Sequence, residues 1–304
     1  MRSFVLNQQL SGSLLEEKGI QLFIKREDLY FPAIPGNKWR KLKYNLAFAQ
    51  ENGFKYIVSF GGAFSNHLAA LALAGKIFGI KTTGIVRGEL PSPLNATLSK
   101  ATLDGMDLQS VDRSTYKEYT QGKHWDALKE TYPAAYFIPE GGTNLLALKG
   151  SAEIVTDSKA GQYDYWCCPV GTGGTISGIL SALDGRQKVL AFPALKGNFL
   201  KKEIDELTTA YTGKCFTNYS IVSDYHFGGY AKFKPALIDF IMDFYAQHKI
   251  PLDPIYTGKM LYGIMDLIEK DYFPRGSRIV AVHTGGLQGI AGFNERFGTE
   301  INVQ

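Results

Sequence analysis

Residues 163–178 read YDYWCCPVGTGGTISG: eight aromatic and apolar-rich residues, a glycine cluster, then an apolar helical pattern. The spacing predicts a buried strand over 163–170 and a helix over Thr175–Asp184, stopped at Gly185. A strand feeding a helix through a tight turn is the repeating unit of an α/β fold. Free backbone N–H groups at such a helix start can bind a phosphate, aided by the helix dipole. A purely structural strand–helix turn is the plainer alternative. A nucleotide loop would need Gly-Lys-Ser/Thr at its end, and the dinucleotide fingerprint would need glycine at Ile176. Both are missing, so a phosphate is indicated but neither ATP nor NAD.

The same alternation extends outward. Strands are predicted at 56–60, 81–87, 106–111, 135–139, 188–194 and 278–284, with helical stretches such as Ser65–Phe78, stopped at Gly79, between them. The implied fold is α/β, with open, mostly parallel twisted sheets covered by helices on both faces. The stretch 45–150 carries four strands, enough for a small sheet of its own. Glycine clusters recur where strands end: FGGAFSN (60–66), PEGGTN (139–144), VGTGGTISG (170–178) and HTGGLQG (283–289). Ligands of open parallel sheets sit beyond the carboxyl ends of the strands, so the clusters point to one shared crevice.

The 304 residues suffice for two domains, and 45% hydrophobic with 20% charged content is ordinary for a globular protein. A net charge of +4 with scattered basic residues gives no sign of nucleic-acid binding. The longest strongly apolar stretch, LAALALAG (68–75), is too short to cross a bilayer. MRSFVLNQQLSG (1–12) lacks the features of a secretory signal. Three cysteines, with Cys167 and Cys168 pointing to opposite faces of one strand, fit a reducing compartment. No metal-ligand spacing is present. The expectation is a cytoplasmic protein without a metal.

Three further stretches bear on chemistry. Ser65 can cap the helix after FGGAFSNH (60–67), or can join Asn66, His67 and the free N–H groups around a carboxylate. DPIYTGK (253–259) and FGGYAKF (227–233) each set a tyrosine beside a turn. Most such tyrosines serve packing. GNKWRKLK (36–43) holds Lys38 in a glycine–asparagine turn, where most lysines would be surface charges. A phosphate pocket, a carboxylate pocket and a turn-held lysine together suit a pyridoxal-phosphate enzyme acting on an amino acid.

The order IKREDLYFPAIPGNKWRKLKYNL, SFGGAFSNH, PEGGTN, VGTGGT, FGGY, DPIYTGK and HTGG, spanning Lys25 to Gly286, resembles the D-cysteine desulfhydrase and 1-aminocyclopropane-1-carboxylate (ACC) deaminase family, fold-type II pyridoxal-phosphate enzymes. The resemblance implies a large cofactor domain (1–44 and 151–304), a small inserted domain (45–150) and a homodimer. It implies pyridoxal 5'-phosphate joined to Lys38, with its phosphate in the loop of Gly171, Thr172, Gly173, Gly174 and Thr175. Asn66 would contact the cofactor's phenolic oxygen, Ser65 and His67 would flank the substrate carboxylate, and Tyr256 and Tyr230 match the family's active-site tyrosines. The sequence has Gly229-Tyr230-Ala231 where the family pattern is Gly-Tyr-Gly.

Among family members, ACC deaminases carry glutamate after the tyrosine matching Tyr256 and leucine between the final histidine and Gly-Gly. This sequence has Thr257 and Thr284 there. Either hydroxyl would then meet the pyridine nitrogen, which is the desulfhydrase pattern. The resemblance thus implies conversion of D-cysteine to pyruvate, hydrogen sulfide and ammonia, with Lys38 as base at Cα and Tyr256 handling the leaving group's proton. ACC deamination is the close alternative, a dehydratase or racemase of another small amino acid a broader one, and a non-catalytic binder the most distant.

Overall fold

Alternation along the strands decides which residue enters which core. In the central strand, Tyr165 and Cys167 enter one apolar cluster while Trp166, Cys168 and Val170 enter another on the opposite face. The adjacent strand repeats the rule, with Ile279 and Ala281 on one side and Val280 and Val282 on the other. Both faces are therefore covered, as a parallel sheet requires. The computed structural model describes residues 7–158 and 160–303; residues 1–6, half of the stretch read above for a secretory signal, lie outside the described residues.

Among the described residues, ten strands form two sheets: β1 (Asn7–Gln9), β2 (Gln21–Lys25), β3 (Tyr56–Gly61), β4 (Lys81–Arg87), β5 (Met106–Val111), β6 (Ala135–Ile138), β7 (Tyr165–Val170), β8 (Lys188–Pro193), β9 (Tyr219–Ile221) and β10 (Arg278–Val282). The larger sheet has the order β1-β2-β10-β7-β8-β9 and the smaller β5-β4-β3-β6. Every pairing is parallel except β1 with β2. The four strands expected between 45 and 150 form the smaller sheet. Sequence periodicity missed β1, β2 and β9. Two of these have three residues, and β2 holds only Leu22-Phe23-Ile24 as an apolar run, too short to separate from a loop. No helix among the described residues is long and apolar enough to cross a membrane.

Three helices pack almost backbone to backbone. Asn37–Glu51 carries Lys38, Leu145–Thr156 follows the smaller sheet, and Gly174–Leu183 follows β7. A Cβ on Gly150 would lie 1.8 Å from the Arg40 carbonyl oxygen, and one on Gly178 would lie 2.8 Å from that of Leu148. Glycine is required at both positions by space alone. Gly150→Ala should lower unfolding free energy by about 1–3 kcal/mol through overpacking, despite alanine's better helix propensity. Urea unfolding checks this, and an unchanged midpoint would contradict the close approach.

Candidate active site

The turn before Lys38 is docked onto the end of β10. Gly36 takes φ 81, and a Cβ there would sit 2.2 Å from the Thr284 carbonyl oxygen. That same oxygen accepts the Asn37 backbone N–H at 3.1 Å. The Asn37 side chain donates to Thr175 Oγ1 at 2.8 Å, tying the turn to the loop after β7 as well. Lys38 is half-buried. Burial pushes its amine down to about 8.

Lys41 stands one helical turn further along the same face. Its residue is 2% exposed, and Nζ donates to the Gly141 carbonyl at 2.6 Å and to Thr143 Oγ1 at 2.8 Å. Burial, then the neighbouring Lys38, holds this amine well below its ordinary value. Sequence reading quoted Lys41 within GNKWRKLK but gave it no role. Its spacing of three from Lys38 was the available signal.

A cavity of about 210 Å³ lies where the strand ends converge. Its lining includes Lys38, Lys41, Asn66, Tyr256, Thr284 and the whole 171–175 loop. Gly173 has φ 77, a conformation that lets the chain turn sharply into its helix. A Cβ on Gly174 would come within 2.9 Å of Thr143 Oγ1 and 3.1 Å of Lys41 Nζ, so the missing side chain keeps the cradle open. The first N–H groups of the Gly174–Leu183 helix have no intrahelical acceptor. Those donors and the Lys41 amine fit a phosphate monoester, while the Lys38 amine, neutral in part near pH 8, fits capture of an aldehyde. The residues present therefore suit pyridoxal 5'-phosphate.

Tyr256 enters the cavity because Asp253 fixes the turn before it. The Asp253 carboxylate accepts the backbone N–H groups of Ile255 and Tyr256 at 2.9 Å each and of Thr257 at 2.8 Å. Burial first, then Tyr230 and Asp253, raises the Tyr256 phenol well above its usual value. Tyr230 does not line the cavity. It is exposed and meets Tyr256 edge to face, with ring centroids 6.3 Å apart.

The structure separates the two threonines. Thr257 is fully buried, its hydroxyl donating to Asp253 Oδ1 and accepting from the Asp253 N–H, at 2.8 and 2.9 Å. Its one proton is committed away from the cavity. Thr284 is on the cavity wall. Ser65 caps its helix, accepting from the Leu68 N–H at 3.2 Å, and the neighbouring Asn66 reaches the cavity. The His67 side chain turns away: Nε2 lies 2.8 Å from Ser59 Oγ, which itself donates to the Ile138 carbonyl at 2.7 Å. Burial, then Lys38 and Lys41, keeps that ring neutral.

Two parallel sheets sharing a crevice, with a buried lysine amine and a phosphate cradle at their strand ends, define a fold-type II pyridoxal-phosphate enzyme. The chain belongs to the pyridoxal-phosphate dependent enzyme family, whose model matches residues 7–285. It is 30% identical, over 92% of its length and 88% of the relative's, to a Pyrococcus abyssi protein that carries the ACC deaminase name provisionally. It is 29% identical to the Arabidopsis thaliana mitochondrial bifunctional D-cysteine desulfhydrase/ACC deaminase, over 90% of this chain and 74% of the plant protein. A crystal structure of an ACC deaminase homologue superposes with a TM-score of 0.84 at 27% identity, covering 97% of this chain and 93% of the other. The family resemblance read from the motifs is borne out.

Two measurements test the cradle. Capture of pyridoxal phosphate by cofactor-free protein should accelerate as pH rises through about 8, because deprotonation of Lys38 frees the amine; a midpoint near the ordinary lysine value would contradict the burial argument. Lys41→Met should raise the Kd for pyridoxal phosphate by about 10–100-fold, the loss of a charged hydrogen bond. Binding of pyridoxal, which has no phosphate, should barely change, and an equal loss for both would contradict the assignment.

Proposed function

We propose that the protein is a lyase of small amino acids, with D-cysteine and water converted to pyruvate, hydrogen sulfide and ammonia. Pyridoxal 5'-phosphate, when bound, supplies an aldehyde that takes up the amino group and a ring that withdraws electrons from Cα. The protein's own groups do the rest. The 171–175 loop, Lys41 and the helix N–H groups hold the phosphate. Asn66, on the cavity lining, would contact the phenolic oxygen of the ring. The substrate carboxylate would be held at the start of the Asn66–Phe78 helix by the Asn66 and His67 N–H groups and the Ser65 hydroxyl, since the Ser65 N–H already donates to the Gly62 carbonyl at 3.0 Å. Lys38, with an amine near neutrality at about pH 8, removes the Cα proton. Tyr256, whose raised pKa keeps it protonated, donates to the departing sulfur, and Tyr230 supports it.

Thr284 carries the choice of reaction. Thr284 stands on the cavity wall, and beside the ring nitrogen of the bound cofactor its neutral hydroxyl would leave that nitrogen less basic than a carboxylate would, by roughly one to three pKa units. Asp104, the only acid among the described lining residues, is held by Lys76 at 3.0 Å and Lys100 at 2.8 Å. A weaker electron sink suits β-elimination, where a Cα proton is available to remove. The relatives' names favour a second reading, ACC to 2-oxobutanoate and ammonia. In the same proposal, 45–150 is a small domain inserted in a large one, and the enzyme is a cytoplasmic homodimer.

The holoprotein supplied separately with D-cysteine, L-cysteine, D-serine and ACC should release keto acid fastest from D-cysteine. Faster 2-oxobutanoate from ACC would overturn the preference. Thr284→Leu should slow pyruvate release without abolishing cofactor binding.

A further inference from the structure

The lysine that ends DPIYTGK (253–259) is unused by the chemistry above, yet it is buried beside it. Lys259 is 2% exposed, on the first turn of the Thr257–Glu269 helix, three residues after Tyr256. Its Nζ donates to the carbonyls of His226 at 2.9 Å and Gly229 at 2.8 Å. Both carbonyls belong to the loop that delivers Tyr230, on its N-terminal side. Each also accepts a backbone N–H, from Gly229 at 3.0 Å and from Lys232 at 3.1 Å respectively.

The loop cannot hold this shape by local preference. Phe227 and Ala231 take φ 55 and 54, left-handed values that side chains disfavour, and Gly228 and Gly229 take 98 and 122. Such backbone persists only where its surroundings impose it. A buried ammonium with converging carbonyl acceptors is a constraint of that kind, and it issues from the same helix start that Asp253 fixes around Tyr256.

We propose that Lys259 is a positioning residue that sets Tyr230 against Tyr256, so that DPIYTGK aligns both tyrosines from one rigid turn. The inference rests on the reading of these tyrosines as active-site groups. Lys259 touches neither substrate nor cofactor; it acts through the 226–231 loop.

The test uses holoprotein variants Lys259→Met, Lys259→Arg, Tyr230→Phe and the double Lys259→Met/Tyr230→Phe, assayed on the faster of D-cysteine and ACC. Lys259→Met should lower kcat by about 10–100-fold, the scale of a misplaced catalytic group, while KM and the cofactor Kd stay within about threefold. Amide exchange across 227–232 should accelerate. Lys259→Arg, which keeps the donors, should recover part of kcat, and it carries the same measurements if the methionine variant does not fold. The double variant should be no slower than the slower single one, since both changes act through one tyrosine. Losses that multiply, unchanged exchange at 227–232, or an unchanged kcat in Lys259→Met would each overturn the proposal. Failure of the underlying reading is distinguishable. Tyr230→Phe leaving kcat intact would remove Tyr230 from the site, whereas the exchange measurement would still report whether Lys259 holds the loop.

Discussion

The placement of Lys38 depends on a charge buried two residues away. Arg40 is fully buried, with Nε 2.9 Å from Glu27 Oε2 and Nη1 2.6 Å from Asp157 Oδ2 and 3.1 Å from Glu153 Oε2. Its guanidinium lies 3.4 Å over the Tyr30 ring. One side chain thus ties the Lys38 helix to the segment after β2 and to the Leu145–Thr156 helix. A buried ion pair adds little net stability over apolar packing, but removing one partner costs about 3–5 kcal/mol because the other charge is stranded. Its use here is geometric: it permits one docking of the helix and excludes its neighbours. Gly150 enforces the same docking by allowing the backbones to touch.

That docking would be idle without the sheets. Parallel strands bring the ends of β3, β6, β7 and β10 to a common edge, and each end is followed by a glycine-rich turn. The loops after β7 and β10 meet the Lys38 turn directly, through Thr175 and the Thr284 carbonyl. The loop after β6 meets Lys41. Burial of two lysines within this convergence lowers both amines: Lys38 is left partly neutral for attack on an aldehyde, while a phosphate beside Lys41 would favour that amine's charged form again. Tyr256 reaches the cavity beside Gly171, from the turn whose backbone Asp253 holds.

Much of this was legible before any coordinates. Alternation and turn chemistry are local, so β3 to β8 and β10, the Ser65 cap and the left-handed stop at Gly79 follow directly from sequence. Lys38, Asn66, Gly171–Thr175, Tyr256 and Thr284, each beside a turn legible in the sequence, do share one cavity. What escaped is what tertiary contact decides. The role of Lys41 needs the 139–144 turn to arrive from 100 residues away. Thr257 and Thr284 looked equivalent until Asp253 claimed the hydroxyl of the first. His67 looked available until Ser59 and its burial were visible. Lys259 likewise reads as an ordinary helix lysine until the strained 226–231 loop is laid against it.

The site's chemistry turns on Lys38 being the residue that carries the cofactor, rather than the more deeply buried Lys41 beside it. Reduction of the pyridoxal-phosphate-loaded protein with borohydride, followed by digestion and mass spectrometry, decides between them. The pyridoxyl phosphate mass should appear on Lys38 alone. The same mass on Lys41, or on any other lysine, would contradict it.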